Sequence, residues 1–150
     1  MSPSAKEKLV GVWKIVSYEI RRADGQILYP AGKDPLGTLI LTADGHMSAQ
    51  IMPADRPAFV SGNMLRCTPE EAQSALQGCI SYFGVYTFNE EESKFTTRVI
   101  GSLFPNWIGG DQDRFFELAD DRLSLRTQPM VMGGTMGTAF LIWERAGEVA

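Results

Sequence analysis

Short runs in which apolar and polar residues alternate make up most of the chain, and turn residues separate them. A period of two is typical of β-strands, whose successive side chains point to opposite faces of a sheet. Asp24–Gly25 and Asp44–Gly45 are turn pairs of the kind that join hairpins. About nine strands are predicted, over residues 9–22, 27–29, 37–41, 46–52, 82–88, 95–100, 112–116, 122–127 and 139–145. The pattern indicates one all-β domain over residues 1–150, an antiparallel meander that closes into a barrel.

One segment in the middle of the chain departs from the strand pattern. Residues 53–67 contain two prolines and no periodicity, which predicts a long loop of the kind that often acts as a lid or binding loop. Thr68 then caps a helix that has Pro69 at its first position and Glu71 closing a capping box. The helix is too short to form a core, so we expect it to plug or flank the barrel.

The central stretch, residues 82–116, carries apolar or aromatic residues on both faces of its strands. Arg98 and Arg114 each interrupt an apolar run, and such an arginine either faces water or finds a partner in a cavity.

Residues 129–137 are predicted to form a flexible, methionine-rich loop. In the first strand, strict alternation places Trp13 on the face opposite to Tyr18.

Composition and charge narrow the class of protein. Hydrophobic residues make up 44% and charged residues 21% of the 150, which is ordinary globular composition. The net charge of -4 argues against a nucleic-acid-binding surface. No apolar run approaches the roughly 20 residues that span a membrane. The first ten residues lack the apolar core of a signal peptide, which predicts a cytoplasmic protein.

Cysteine and histidine content bears on disulfides and metals. If the segment between Cys67 and Cys79 is helical, the two lie about 18 Å apart at a rise of ~1.5 Å per residue. A disulfide needs less than about 7 Å between Cα atoms, so free thiols are predicted. One histidine and two separated cysteines do not make a zinc shell, and no phosphate-binding glycine motif is present. We therefore predict neither a metal nor a cofactor.

The candidate catalytic residues are His46, Tyr82, Tyr86 and Arg98. His46 lies on the rim or solvent face of its hairpin, or it acts as an acid or base at neutral pH. Tyr82 and Tyr86 share a face with Gly84, which leaves room beside the rings. They belong to the core, or their hydroxyls donate hydrogen bonds inside a pocket. No serine elbow or cysteine–histidine pair suggests covalent catalysis.

A second group of residues is predicted to contact a bound molecule. Arg56 anchors the long loop or reaches over the barrel mouth to clamp a carboxylate or enolate. Trp107 and Asn106 close a barrel corner or touch the ligand. The full set of candidate binding residues is Met47, Ser48, Arg56, Asn106, Trp107, Gln112 and Arg114.

Six elements in order resemble the small lipocalin-like domain family of bacteria and fungi, and they cover nearly the whole chain. They are Gly11–Trp13, Asp44–Ser48, Arg56–Pro57, Tyr82–Tyr86, Phe104–Trp107 and Trp143–Arg145. The resemblance implies an antiparallel calycin-type barrel of about eight or nine strands with one short helix inserted mid-chain. In lipocalins proper, a comparable Trp and Arg pack at the closed barrel end, so we expect Trp13 to stack with Arg145.

The resemblance does not specify a function, because the family includes uncharacterised proteins and cofactor-free pathway enzymes. Many relatives carry a histidine pair in the second central strand, where this chain has Thr97 and Arg98. A mechanism that depends on those histidines therefore does not transfer.

Two hypotheses follow for a barrel that holds one small oxygenated hydrophobic metabolite. In the first, which the polar content of the strands favours, the protein is a cofactor-independent isomerase, cyclase or lyase of secondary metabolism. In the second, it is a non-catalytic binding or carrier protein. Polar groups that converge on one point favour the enzyme, whereas scattered polar groups favour the carrier. The expected partner is the small molecule alone, with no nucleic acid or membrane, and the protein is a monomer or a homodimer.

Overall fold

A computed structural model of the chain describes residues 4–132 and 134–149. Its elements in chain order are α1 (Ala5–Leu9), β1 (Gly11–Arg22), β2 (Ile27–Leu28), β3 (Leu36–Leu41), β4 (His46–Met52), α2 (Pro69–Leu76), β5 (Ile80–Asn89), β6 (Lys94–Ser102), β7 (Asp111–Ala119), β8 (Arg122–Arg126), β9 (Met130–Met132) and β10 (Thr135–Arg145). A 3-10 turn, Pro105–Trp107, lies between β6 and β7. Within these ranges, neither α-helix is long and apolar enough to cross a membrane.

Eight strands form a closed antiparallel barrel. The ladder runs β1-β3-β4-β5-β6-β7-β8-β10, and β10 returns to pair with β1. The two additional strands extend the sheet, since β2 pairs with β1 and β9 pairs with β10. This confirms the predicted antiparallel barrel with a helix between the fourth and fifth strands. The prediction of a loop over residues 129–137 was wrong, because β9 and the start of β10 pair there as a hairpin.

A bulge in β1 changes which residues face the interior. The register with β10 shifts between Ile15 and Ser17, so Trp13 and Ile15 face inward before the bulge and Tyr18 faces inward after it. The prediction that Trp13 and Tyr18 lie on opposite faces was therefore wrong. Strict alternation would have turned either Lys14 or Glu19 into the barrel, and the extra residue avoids burying a charge.

The closed end of the barrel is held by Arg145 and Trp13, as predicted. The guanidinium carbon of Arg145 lies 3.9 Å from the centroid of the Trp13 ring. Its Nη1 and Nη2 groups donate to the carbonyls of Val10 (2.8 Å) and Lys8 (2.6 Å). The Trp13 indole N–H donates to the Leu9 carbonyl at 2.9 Å, and Leu9 is fully buried. Helix α1 and the Arg145–Trp13 pair thus seal this end together.

Helix α2 flanks the barrel at the opposite end. The predicted capping box is present, since Thr68 Oγ1 accepts from the Glu71 N–H at 3.1 Å and Glu71 Oε1 accepts from the Thr68 N–H at 2.9 Å. The other Glu71 carboxylate oxygen accepts from the Val60 N–H at 2.9 Å, which attaches the long loop to the helix. None of the helix residues is buried, as expected for a flanking element. Cys67 and Cys79 are free thiols, as predicted.

We expect Arg145→Met to lower the free energy of unfolding by about 1.5–3 kcal/mol, because it removes charge-assisted hydrogen bonds to two carbonyls. Urea denaturation followed by circular dichroism measures this change. Arg98→Met is the matched control, because the Arg98 side chain is 63% exposed. The control should stay within about 0.5 kcal/mol of the wild type. Equal stability of the two variants would show that the closed end does not depend on Arg145.

Candidate functional site

A cavity of about 460 Å³ occupies the barrel interior at the end opposite Trp13 and Arg145. This volume is in the range of about 300–1,000 Å³ found for small-molecule sites. Its walls are the inward faces of the strands, which are mainly apolar and include Ile20, Leu39, Met47, Ala49, Leu125 and Leu141. The end of α2, the 3-10 turn and β9 border the mouth through Leu76, Trp107 and Val131.

Arg114, on β7, is the one charged side chain among the described residues that line the cavity. It is only 7% exposed, and it takes part in none of the ion pairs found within the described ranges. Its Nη1 group donates to the Asp113 carbonyl (2.9 Å) and, more weakly, to Gln112 Oε1 (3.4 Å). A guanidinium has further N–H groups in a fixed fork, and these remain available to a bound molecule.

Aromatic rings surround the Arg114 guanidinium at the mouth. Its central carbon lies 5.9 Å from the Tyr82 ring centroid and 6.0 Å from that of Trp107. Tyr82 and Trp107 meet edge to face, with centroids 5.2 Å apart and planes at 82°. Phe104 in turn packs against Trp107 at 5.9 Å. Arg114, Tyr82 and Trp107 therefore lie together at the mouth. With Tyr18, which also lines the cavity, they are called the recognition cluster.

Tyr18 is the member of the recognition cluster that the sequence interpretation missed. It lines the cavity because the β1 bulge turns it inward. Burial raises the pKa of its hydroxyl above the ordinary value, and the positive charge of Arg114 opposes part of that rise. The hydroxyl is therefore protonated at neutral pH and can donate a hydrogen bond. The signal in the sequence is that strict alternation along β1 would turn either Lys14 or Glu19 inward. A bulge between them allows both to face outward.

Three residues proposed for the site lie on the outer face of the barrel. His46 is exposed at the start of β4, beside the turn at the closed end. Ser48, on the same strand, accepts a hydrogen bond from Gln50 at 2.8 Å. Arg98 pairs with Asp111 at 3.3 Å in solvent, because its neighbours on β6 take the inward positions. Of the two alternatives for Arg98, the one that faces water holds, so Arg98 does not reach the cavity as a catalytic residue would.

Tyr86 faces inward but serves the closed end. Its hydroxyl donates to the Thr42 carbonyl at 2.6 Å, and its ring packs edge-on against Phe95 at 6.0 Å. Burial raises the pKa of Tyr86, and the Asp44 carboxylate adds to the rise. We had expected Gly84 to open space beside the tyrosine rings, but it does not. A Cβ at this position would overlap the carbonyl oxygen of Arg98, so glycine permits the close approach of β5 and β6.

The remaining predicted residues divide between the cavity and the surface. Met47 and Trp107 line the cavity, and Gln112 contacts Arg114 beside it. Asn106 is exposed on the 3-10 turn. Arg56 donates to the Ala75 carbonyl at 3.0 Å. This contact fits the prediction that Arg56 anchors the long loop, rather than the alternative that it clamps a ligand oxyanion.

The chain is similar to one protein family and to two individual proteins. The sequence model of a family described as "Lipocalin-like domain" matches residues 10–146, a range that contains all eight strands of the closed barrel. The 4'-hydroxy-3'-methoxypropiophenone carrier protein of Aspergillus oryzae is 35% identical over 106 residues, which cover 66% of this chain and 96% of that protein. A lipocalin-like protein from Bacteroides uniformis, known from a crystal structure, has a TM-score of 0.47 and 14% identity, over 92% of this chain and 98% of that one.

We expect Arg114→Met to raise the free energy of unfolding of the empty protein by about 1–3 kcal/mol, because it replaces a buried charge that has no carboxylate partner with an apolar side chain. Urea denaturation of ligand-free protein measures the change, with Arg98→Met as the exposed control. A clear loss of stability would show instead that the contacts of Arg114 within the empty barrel compensate its burial.

Proposed function

This chain belongs to the lipocalin-like domain family, and we propose that it binds one small oxygen-bearing aromatic molecule inside its barrel and carries it chemically unchanged. The observation that carries the proposal is that Arg114, a buried guanidinium at the wall of an apolar cavity, has no carboxylate partner among the described residues. Burying a charge without a partner destabilises the folded protein. A ligand oxygen beside the guanidinium offsets that loss, so the site favours an oxygenated molecule over a hydrocarbon.

The neighbours of Arg114 support an aromatic ligand. Tyr82 and Trp107 present ring surfaces at the mouth, and Phe104, which also lines the cavity, packs against Trp107. Aromatic rings add offset or edge-to-face contacts to the ordinary gain from apolar burial, about 0.5–1.5 kcal/mol per pair. The floor beyond the cluster is formed by Leu39, Met47 and other apolar side chains, which accept the unsubstituted part of the molecule.

The chemistry of the cavity favours a carrier over an isomerase, cyclase or lyase. Those reactions need a group that accepts a proton as well as groups that stabilise charge. Arg114 and Tyr18 are hydrogen-bond donors at neutral pH, and the cavity-lining residues that the structure describes include no histidine, aspartate or glutamate. Two of the candidate catalytic residues lie elsewhere, since His46 is on the outer face and Tyr86 is at the closed end.

One observation supports the catalytic alternative. Tyr18 and Arg114 both line the cavity and interact electrostatically, and two donors that reached one ligand oxygen would also stabilise a developing oxyanion. An enzyme built on this cluster would need a proton acceptor from the substrate or from water. The experiment below therefore measures binding and conversion separately.

The relative from Aspergillus oryzae supports the proposed class of ligand. Its name describes a carrier of 4'-hydroxy-3'-methoxypropiophenone, a molecule with hydroxyl, methoxy and ketone oxygens around one aromatic ring. Such a molecule offers an oxygen to Arg114 and a ring to Trp107. We propose a ligand of this general kind for the present chain.

We expect isothermal titration calorimetry with 4'-hydroxy-3'-methoxypropiophenone as the probe to show one molecule bound per chain. Ala49→Phe should abolish binding, because Ala49 is 4% exposed on the cavity wall and a larger side chain fills the space. The matched control is Ser48→Phe, which places the same side chain on the outer face of the same strand and should bind as the wild type does. Equal binding by both variants would place the ligand outside the barrel.

Mass spectrometry of the probe recovered after prolonged incubation tests whether the protein is a carrier. An unchanged molecule is expected. Conversion by the wild type that falls by about 10²–10³ in Arg114→Met would contradict the carrier proposal and establish the enzyme instead.

A further inference from the structure

We infer that the cavity holds its ligand as a monoanion, with an ionised oxygen beside the Arg114 guanidinium and the Tyr18 hydroxyl as a second donor. This inference rests on the proposed function and adds to it the charge state of the bound molecule. A neutral oxygenated molecule would satisfy the proposed function equally well, so the two statements can be tested apart.

The charge balance of the cavity is the first support. The titratable side chains that line it, within the described part of the chain, are Tyr18 on β1, Cys79 before β5, Tyr82 on β5 and Arg114 on β7. Of these four, Arg114 alone is an obligate cation, and none is a carboxylate. The lining therefore has one uncompensated positive charge, which a monoanion would neutralise.

Three acidic residues close in sequence to Arg114 or Tyr18, namely Asp111, Asp113 and Glu19, pair with cations on the outer face. Asp113, directly before Arg114, accepts from Thr96 at 2.6 Å and lies 3.5 Å from the Lys94 ammonium. Asp111 pairs with Arg98 on the outer surface. On β1, Glu19 pairs with Arg21 at 2.8 Å. Alternation along the strands thus places each carboxylate with an outer cation and leaves Arg114 facing inward alone.

The hydrogen-bonding capacity of the site is the second support. Gln112 Oε1 and the Asp113 carbonyl already accept from Arg114 Nη1. The free groups of the guanidinium are donors, and the Tyr18 hydroxyl is protonated because burial raises its pKa. Donors stabilise an ionised oxygen more than a protonated one, and a nearby cation acts in the same direction. An acidic group on the ligand should therefore lose its proton more readily in the cavity than in water.

Two kinds of ligand share this chemistry. A phenol conjugated to a ketone would ionise on binding, whereas an aromatic carboxylate would arrive already ionised. The probes that separate them are 4'-hydroxy-3'-methoxypropiophenone and 3,4-dimethoxybenzoate. The non-ionisable control is 3',4'-dimethoxypropiophenone, which keeps the ketone and the ring but replaces the hydroxyl hydrogen with a methyl group.

The test is the absorption spectrum of the phenolic probe in the presence of excess wild-type protein, at a pH about one unit below the probe's own pKa. Acyl phenols absorb at longer wavelength when ionised, so the bound probe should show the full phenolate band, whereas only about a tenth of the free probe is ionised at this pH. Its affinity should rise with pH, by up to about tenfold per unit, and level off above the pKa of the free probe.

Variants assign the effect to the recognition cluster. Arg114→Met should remove the phenolate band and weaken binding of the phenolic probe by about 10- to 100-fold. The methyl ether offers Arg114 only neutral oxygens, so its affinity should fall by less than about tenfold in the same variant. Arg98→Met, the exposed control, should behave as the wild type does. A carboxylate probe that binds more tightly than the phenol, and loses its affinity in Arg114→Met, would identify carboxylates as the natural class of anion.

Bound phenol with the spectrum of its neutral form, and an affinity independent of pH, would overturn the monoanion inference and leave the proposed function intact. No binding of the phenol, its methyl ether or the carboxylate would overturn the proposed function itself. The spectrum and pH dependence of the wild type decide the question even if Arg114→Met does not fold.

Discussion

Closure of the sheet between β1 and β10 is the constraint on which the rest of the molecule depends. Pairing these strands removes both sheet edges and creates an interior, and eight strands leave room for packed side chains or for one small ligand. The chain uses both options. Trp13 fills the closed half, while Ala49 and Ala139 line the cavity together with Trp143. The cavity therefore lies in the part of the barrel where two inward positions are alanines.

Arg114 shows where the requirements of folding and binding conflict. A barrel optimised for stability would place an apolar residue at this inward position of β7, because a charge without a partner is costly there. The neighbouring carboxylates could have relieved that cost had either faced inward, but Asp111 and Asp113 both lie on the outer face. A residue that breaks a local rule without internal compensation is typical of a functional site.

Local patterns predicted the fold well, because each depends on neighbouring residues alone. The capping box at Thr68 required only residue types and order. The stack of Arg145 on Trp13 joins distant residues, and it was expected from the resemblance to lipocalins rather than from a local pattern. Orientation within the sheet was harder to predict. Phe83 and Ile100 are apolar yet 52% and 57% exposed, so both faces of the central strands resemble a core in the sequence.

The same ambiguity concealed the site. Arg98 and Arg114 each interrupt an apolar run in the sequence. Their environments differ because the pairing of β6 with β7 places Asp111 opposite Arg98 and Phe95 opposite Arg114. Tyr18 was hidden by a bulge that depends on how β1 meets β10, a contact between the two ends of the chain. A pattern within one strand can signal a bulge, as Lys14 and Glu19 do in β1, but it does not specify which residues such long-range pairing places opposite each other.

The placement of these residues separates folding from recognition along the barrel axis. Helix α1, Trp13 and Arg145 seal one end, and the recognition cluster lies at the other with the 3-10 turn above it. Most of the cluster comes from β5, β7 and the turn between β6 and β7, whereas closure depends on β1 and β10. Tyr18 is the exception, because β1 supplies both the closing ladder and a donor to the cavity. The bulge that closes the barrel without burying a charge is thus the feature that also gives the site its second hydrogen-bond donor.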